Sequence, residues 1–450
     1  MTQTTLTART TTDGLRGVPG THWSEMDILA EAIACGEYLG ATGAIVIGFD
    51  GRAGSAELAA MCADHLLHLD IDVTLSASPT VTPAVGRFCA SRSHVTGGLI
   101  FTASHNPPGY VGVKMRGHDG LAYDTAPFVD RATIIRDDWG IDIRYPSWSR
   151  RHTSDAINDL YAESVLADLN ATIDSFGGDV TIDSMYGAAG RYQQFVPSAN
   201  WRRATVAPFF FGIVPDPVQE LSSADDDVIA AVGPDQLRVL TDGDGDRIAL
   251  ITRQSGYISS TELALCLLDG GATMQNVIST VVSEKLLADS TRLHGKAFSE
   301  VEVGFKNVIA EWNRLGRPAA MGVEPNGGLA IANDAEEYFE RDGLWAAARV
   351  LTELRTVRAL NEAVSAVRER RRFRQLTLST SEGLLSVVNA FVDRYSRFES
   401  LSNGSVYQLV CMETGERVLL RQSGTESVTR IYVEADTDVA VWLTQTFSHR

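Results

Sequence analysis

Long hydrophobic runs are missing from this 450-residue chain. No stretch reaches the roughly 18 apolar residues that a membrane-spanning helix needs, and the first residues, MTQTTLTARTTTDG, lack the apolar core of a signal peptide. Cysteine is scarce as well, with five residues that form no C-x-x-C pair. We therefore expect no membrane association, no disulfide framework, no zinc site and a cytoplasmic location.

Basic residues are in the minority, with 39 Lys and Arg against 57 Asp and Glu and a formal net charge of −18. This charge disfavours nucleic acid or an anionic membrane as a partner, so the expected partner is a small molecule. The length predicts several domains. Changes in composition and periodicity place them at residues 1–150, 151–252, 253–367 and 368–450.

Several segments share one design, in which a short apolar run is followed by a loop rich in Gly, Asp, Asn or Ser and then by a helical pattern. They are AIVIGFDGR from Ala44, GGLIFTASHN from Gly97, VTIDSMYGAAG from Val180, LRVLTDGDGDR from Leu237 and AAMGVEPNGG from Ala319. Apolar strands that alternate with helices predict α/β domains with mostly parallel sheets. The last segment of the chain changes to hairpin-like strands and predicts a small α+β domain. Ligands are expected at the loops beyond the strand ends.

The motif D-G-D-G-D-R predicts a metal site. Asp242, Asp244 and Asp246 alternate with glycines, which allow a loop tight enough for the carboxylates to converge. Converging carboxylates repel one another unless a cation lies among them, and oxygen ligands suit Mg²⁺. A plain hairpin turn is the alternative, because Asp-Gly is a strong hairpin signal. An EF-hand is excluded because Arg247 and Arg253 occupy the loop positions that require Gly and Glu, and an aspartyl-phosphate phosphatase motif is only distantly similar.

The stretch TASHNPP, residues 102–108, places Ser104 on a stiff loop at a strand end, because the residues before the prolines are biased to extended geometry. A Ser-His hydrolase pair is disfavoured, since adjacent side chains on an extended segment point to opposite faces. An ordinary turn serine remains the default interpretation. Two further loops favour a ligand. RQSGT, residues 421–425, suits a phosphate group, although alone it is a weak signal. GVEPNGG, residues 322–328, offers a carboxylate and an amide to sugar hydroxyls, and a plain strand-to-helix turn explains it equally well when it is taken alone.

Taken in order, TASHNPP, DGDGDR, GVEPNGG and RQSGTES resemble the four active-site loops of the α-D-phosphohexomutase family. Supporting matches are TDGLRG from Thr12, GFDGR from Gly48, Thr82-Pro83, GVK from Gly112, VGFK from Val303 and Asp342-Gly343. The resemblance implies three similar α/β domains and a smaller C-terminal α+β domain around a central cleft. It also implies an enzyme that moves phosphate between C1 and C6 of a hexose through a bisphosphate intermediate.

The resemblance assigns residues to roles. Ser104 carries the phosphoryl group, with His105 as its neighbour in the loop rather than a triad base, and Arg16 and Lys114 lie near the reacting phosphate. Mg²⁺ is held by the three aspartates and a phosphoserine oxygen, and hexose 1,6-bisphosphate is the activator. The substrate contacts implied are Arg247, Lys306, Glu324, Asn326, Arg421, Ser423, Gly424, Thr425 and Arg430. The enzyme is expected to be a monomer or a homodimer.

The sugar loop departs from the usual family pattern, because Val323, Pro325 and Asn326 stand where G-E-x-S-G is usual. Asparagine and proline change the donors and the stiffness of the loop, so the sequence leaves the sugar open among glucose, mannose and glucosamine types. The segment around residues 208–220 is also shorter than its family counterpart. Three alternatives remain: a mutase for an unusual sugar phosphate, a phosphosugar-binding homologue without catalysis, and a phosphatase.

Overall fold

The structure is a computed structural model that describes residues 10–11, 14–21, 24–138, 152–218, 226–332, 338–379, 389, 398–403, 406–411, 416–422 and 428–434. Four sheets follow one another along these residues. Each of the first three has parallel strands on one side and antiparallel strands on the other, whereas the fourth is antiparallel throughout. This confirms the predicted fold of mixed α/β domains followed by a C-terminal α+β domain.

The first sheet has the strand order β1-β2-β6-β5-β3-β4-β8, with β7 paired to β6. Its strands are β1 Thr10–Thr11, β2 Gly14–Gly17, β3 Ala44–Phe49, β4 Val73–Ser76, β5 Val95–Phe101, β6 Val111–Gly117, β7 Ala122–Tyr123 and β8 His152–Ser154. Strands β3 and β5 are buried almost along their whole length, as continuous apolar strands between two helical layers should be.

The second and third sheets repeat this plan with fewer strands. The second, in the order β10-β9-β11-β12-β13, contains β9 Asp179–Asp183, β10 Asn200–Arg202, β11 Gln236–Leu240, β12 Ala249–Thr252 and β13 Gly256–Ile258. The third, in the order β15-β14-β16-β17, contains β14 Asn276–Thr280, β15 Ala297–Val301, β16 Ala320–Val323 and β17 Leu329–Ala332. Strand β8 pairs within the first sheet and strand β13 within the second, although they begin after the predicted boundaries at residues 150 and 252. The boundaries themselves stay predictions.

The fourth sheet has the order β18-β22-β21-β20-β19. Its strands are β18 Phe373–Ser379, β19 Phe398–Asn403, β20 Val406–Cys411, β21 Arg417–Gln422 and β22 Val428–Glu434. A small apolar cluster joins this sheet to Val282 of the third domain. Ion pairs such as Arg371 with Glu284 lie at the same junction.

Helices cover the sheets. They are α1 Glu25–Gly40, α2 Ser55–His68, α3 Thr82–Ala90, α4 Val129–Asp138, α5 Ala156–Tyr161, α6 Ala167–Ser175, α7 Asp226–Ala230, α8 Ser260–Asp269, α9 Lys285–Leu293, α10 Phe305–Arg314, α11 Gly343–Leu354 and α12 Val357–Arg370. Ser24 and Ser259 begin α1 and α8 with capping boxes, which satisfy the free N–H groups of the first turn. Among the described residues, no helix is long and apolar enough to cross a membrane.

One continuous apolar core unites the first three sheets, since it contains Ile100 of β5, Val239 of β11 and Met321 of β16. A polar junction reinforces it: Arg87 on α3 pairs with Asp342 at 3.1 Å, and the Tyr161 hydroxyl donates to the same carboxylate at 2.7 Å. Asp342 also caps α11. The loops that follow β5, β11 and β16 are therefore held in a fixed relation to one another.

The buried acid Glu31 on α1 gives a testable stability effect. Burial raises its pKa from 4.5 to about 7, opposed by a hydrogen bond from Thr125, and Glu31 Oε1 has no hydrogen-bond partner among the described residues. Because the folded pKa is the higher one, the folded state loses stability relative to the unfolded state as pH rises from 4.5 through 7.

Glu31→Gln should therefore stabilise the protein more at pH 8 than at pH 5, by a difference of about 1–3 kcal/mol in the free energy of unfolding. Urea unfolding at the two pH values measures this difference. The exposed Glu25 on the same helix provides the matched control, and Glu25→Gln should change the free energy by less than about 0.5 kcal/mol at either pH. Equal effects of Glu31→Gln at both pH values would contradict the argument.

Candidate active site

Ser104 lies in the loop after β5 and is almost completely buried. Its hydroxyl donates to Asp242 Oδ2 at 2.7 Å, which joins the first loop to the D-G-D-G-D-R loop after β11. Its φ of +53° places the backbone in the left-handed region, which a non-glycine residue adopts only when its surroundings hold it there. The serine therefore has a constrained backbone and a hydroxyl directed at a carboxylate of the second loop.

The three aspartates of that loop converge. One carboxylate oxygen from each of Asp242, Asp244 and Asp246 lies within 4.8 Å of the others. Lys114 on β6 contacts the Oδ2 atoms of Asp244 and Asp246 at 2.8 and 2.7 Å. The remaining Oδ1 atoms of both residues are buried and have no hydrogen-bond partner in the described part of the chain. Carboxylate oxygens in this state suit a hard divalent cation, so the residues present fit the predicted metal.

The loop at residues 242–247, which we call the metal loop, is also a hairpin connection, since β11 and β12 pair in antiparallel fashion from Leu240 and Ala249 outward. The two alternatives drawn from the sequence are thus compatible. Glycine is required at both of its positions in the loop. Gly245 has φ +73°, and a Cβ atom on Gly243 would lie 2.5 Å from the carbonyl oxygen of Ser104.

The pKa values of Asp242 and Asp244 shift in opposite directions. Burial and the charges of Asp244 and Asp246 raise the pKa of Asp242 well above its usual range. Burial also acts to raise the pKa of Asp244, but the charge of Lys114 and hydrogen bonds from Lys114 and Thr82 outweigh it and lower the value. The mutual repulsion of the carboxylates, which helps to raise the pKa of Asp242, favours binding of a further cation.

His105 is neutral, because burial and the positive charges of Arg247, Arg16, Arg430 and Lys114 lower its pKa well below the usual range. Its Nε2 lies 3.3 Å from Arg247 Nη2, and its Nδ1 lies 3.4 Å from Ser104 Oγ. Because a guanidinium only donates, Nε2 must accept and the ring proton lies on Nδ1. In this tautomer His105 has no lone pair toward Ser104, and its place as a loop neighbour rather than a base stays a prediction.

The other predicted cations occupy different surroundings. Arg247 contacts Asp216 at 3.3 Å and Asp242 at 3.8 Å. Arg16 lies on β2 opposite Gly112 of β6, and its charge contributes to the pKa values of Asp244 and His105. Lys306 lies in the first turn of α10 and pairs with Asp124 at 2.9 Å, with 30% of its side chain exposed. Arg247 and Arg16 therefore belong to the buried cluster, whereas Lys306 lies at a more exposed position with its own partner.

The sugar loop follows β16. Glu324 is buried, and its Oε2 accepts from Asn326 Nδ2 at 3.5 Å. Asn326 Oδ1 accepts from the backbone N–H of Gly328 at 3.2 Å, which folds the loop back on itself. The asparagine that replaces the usual serine thus takes part in shaping the loop and in orienting Glu324.

Arg341 joins the sugar loop to the metal loop, a link that the sequence analysis missed. Its guanidinium lies 3.1 Å from Asp246 Oδ2 and 3.6 Å from Glu324 Oε2. The next residues continue the connection, since the backbone N–H of Gly343 donates to the carbonyl oxygen of Gly245 at 3.0 Å. The available signal was the position of Arg341 directly before the Asp342-Gly343 match.

Two more polar groups of the first domain were missed. The Thr82 hydroxyl donates to Asp244 Oδ2 at 2.6 Å, as the Thr82-Pro83 match would have suggested. The Asn106 carboxamide is buried beside Ser104, and neither its oxygen nor its nitrogen has a hydrogen-bond partner in the described ranges. Only its place inside the TASHNPP motif indicated a role.

Of the predicted phosphate loop, the structure describes the two flanking arginines. Arg421 on β21 and Arg430 on β22 are cross-strand partners. Arg430 lies close enough to the cleft to affect the pKa of His105. Ser423, Gly424 and Thr425 lie outside the described residues.

Three family models match the chain in order. They describe the α/β/α domains I and III of phosphoglucomutase/phosphomannomutase, at residues 8–128 and 259–370, and the C-terminal domain, at residues 410–443. The chain belongs to the α-D-phosphohexomutase family. It is a phosphosugar mutase, an enzyme of the isomerase class.

Relatives agree over nearly the full length of this phosphohexomutase. It is 28% identical over 440 residues to a chain named "Probable phosphoglucosamine mutase" from Methanothermobacter thermautotrophicus, covering 95% of this chain and 94% of the relative. It is 26% identical over 445 residues to the phosphoglucosamine mutase of Thermotoga neapolitana, covering 94% of each. A crystal structure of a phosphoglucomutase/phosphomannomutase family protein from Burkholderia thailandensis shares the fold, with a TM-score of 0.72, 21% identity and coverage of 98% and 96%.

Proposed function

We propose that this mutase moves a phosphoryl group between O1 and O6 of a hexose phosphate by way of a phosphoserine at Ser104. The observation that carries the proposal is the hydrogen bond of 2.7 Å between Ser104 Oγ and Asp242, inside a buried cluster of three carboxylates. A hydroxyl in this position would accept and return a phosphoryl group where Lys114 and a cation held by the carboxylates offset its negative charge.

In the forward direction the bond between phosphorus and Ser104 Oγ breaks while a bond forms from phosphorus to the free hydroxyl of the bound sugar phosphate. The proton that the sugar hydroxyl loses balances the proton that Ser104 Oγ gains. The resulting hexose 1,6-bisphosphate turns end over end, and its other phosphoryl group passes to Ser104 by the reverse step. The same bisphosphate, added from outside, would phosphorylate an empty Ser104 and so act as the activator.

Positive charge beside the transferred group comes from the chain itself. Lys114 contacts two of the aspartates, and Arg16 lies on β2, which pairs with the strand β6 that carries Lys114. These cations would stabilise charge on the phosphoryl oxygens and assist proton movement. Mg²⁺ held by Asp242, Asp244 and Asp246 would add to this charge stabilisation when bound.

Recognition of the sugar phosphate would come from two other loops. Glu324 is oriented by Asn326 and Arg341 and would accept hydrogen bonds from sugar hydroxyls. Arg421, Arg430 and the loop of Ser423, Gly424 and Thr425 would hold the phosphate that does not react. Each phosphate of the bisphosphate must occupy this second site in turn. Recognition by charge therefore suits the site better than recognition by exact shape.

The sugar itself is tested by phosphorus NMR. The protein is incubated with Mg²⁺, a trace of glucose 1,6-bisphosphate and, in separate samples, the 1-phosphates of glucosamine, glucose, mannose and N-acetylglucosamine. Since relatives carry the name phosphoglucosamine mutase, we expect the 6-phosphate signal to grow fastest with glucosamine 1-phosphate. Release of inorganic phosphate without a 6-phosphate signal would contradict the mutase mechanism and favour a phosphatase.

A further inference from the structure

The backbone of Ser104 is held at both of its amide groups by buried side chains that precede it in the chain. Its left-handed φ of +53° is unfavourable for a residue with a Cβ atom, by about 1 kcal/mol or more. Without contacts from other side chains to its backbone, Ser104 would relax and its Oγ would move away from Asp242. The contacts that prevent this come from Asp50, Arg52 and Thr102, which we call the Asp50 cluster.

Thr102 holds the N–H side of Ser104. The backbone N–H of Ser104 donates to Thr102 Oγ1 at 2.8 Å, and that hydroxyl donates to Asp50 Oδ2 at 2.7 Å. Because the threonine hydroxyl both accepts and donates, it relays the position of the Asp50 carboxylate to the serine backbone. Thr102 and Asp50 are both buried, so water does not compete for these bonds.

Arg52 holds the carbonyl side. Its guanidinium donates to the carbonyl oxygen of Ser104 in a short hydrogen bond, and also to those of Asn106 at 2.8 Å and Pro107 at 3.0 Å. Its Nε donates to Asp50 Oδ2 at 3.1 Å. The face of Phe210 lies 4.7 Å from the guanidinium carbon and fixes its plane. One planar group thus holds the carbonyl oxygens of Ser104, Asn106 and Pro107 in one arrangement.

We propose that the Asp50 cluster positions Ser104 for phosphoryl transfer. This inference rests on the proposed function, because it concerns the same serine. Asp50, Arg52 and Thr102 touch neither the sugar nor the transferred group in this assignment, and they act by keeping Ser104 in its left-handed conformation. Loss of one contact should slow phosphoryl transfer and leave sugar binding unchanged.

The kinetic test uses two matched pairs of variants. Thr102→Val removes the hydroxyl at constant shape and Thr102→Ser keeps it, while Arg52→Met removes the guanidinium and Arg52→Lys keeps only the charge. We expect kcat to fall at least tenfold in Thr102→Val and at least a hundredfold in Arg52→Met and Arg52→Lys, with KM within threefold of wild type. Thr102→Ser should recover kcat to within threefold. A full rate in Thr102→Val, or recovery by Arg52→Lys, would overturn the positioning role.

A second measurement does not depend on activity. Hydrogen–deuterium exchange of the peptide that covers residues 102–110 should be at least fivefold faster in Thr102→Val and in Arg52→Met than in wild type or Thr102→Ser, while peptides of α6 exchange at the wild-type rate. Unchanged exchange in both variants would overturn the inference even if the wild-type protein turned over no sugar phosphate. An inactive wild type with faster exchange in the variants would refute the proposed function and support the positioning role.

Discussion

Ser104→Ala abolishes the interconversion of hexose 1-phosphate and 6-phosphate, with an expected loss of at least about 10⁴-fold in kcat/KM. The variant lacks the Oγ atom that carries the phosphoryl group between the two half reactions. The Thr82 hydroxyl does not take its place, because it donates to Asp244 rather than to Asp242. His105 does not replace it, since its Nε2 accepts from Arg247 and its Nδ1 carries the ring proton on the side of Ser104.

The measurement pairs turnover with intact-protein mass spectrometry. Wild type incubated with glucose 1,6-bisphosphate should gain the mass of one phosphoryl group, and Ser104→Ala should gain none. Ser290 is the matched control, because it is also buried but lies on α9, away from the loops. Ser290→Ala should retain activity within about twofold of wild type and should still be phosphorylated. Phosphorylation of Ser104→Ala to wild-type extent would place the carrier elsewhere.

The metal loop shows why part of the site could be read from the sequence. Asp242, Asp244 and Asp246 are close in the chain, and the two glycines between them allow the tight turn that brings their carboxylates together. Local spacing therefore predicted convergence correctly. The mixed α/β architecture was readable for the same reason, because apolar runs and turn residues alternate at short range.

Contacts between distant parts of the chain could not be read in this way. Lys114 reaches Asp244 and Asp246 across about 130 residues, and this pairing depends on β6 lying antiparallel to β5. Arg341 meets Asp246 and Glu324 only because α11 packs against the metal loop. The family resemblance identified residues one motif at a time and did not give the contacts between motifs. The charge balance of the cluster depends on those contacts, which form where the three sheets pack together.

Divalent metal binding is the second large effect, and it tests the triad directly. We expect the double variant Asp244→Asn with Asp246→Asn to bind Mg²⁺ or Mn²⁺ at least about a hundredfold more weakly than wild type, since two of three anionic ligands are lost. Isothermal titration calorimetry of protein first treated with EDTA measures the affinity. Mutase activity should vanish in EDTA, return with Mg²⁺ in wild type, and stay absent in the variant.

Asp216 provides the control for removal of buried charge. It is buried, contacts Arg247 and lies outside the triad, so Asp216→Asn should bind Mg²⁺ within about threefold of wild type. Lys114 already offsets part of the charge on Asp244 and Asp246. If this offset were sufficient and the cluster needed no further cation, wild type and the double variant would bind Mg²⁺ with equal affinity. The Oδ1 atoms of Asp244 and Asp246 have no hydrogen-bond partner among the described residues, which argues for the opposite result, because buried carboxylate oxygens without a donor are costly unless a cation lies between them.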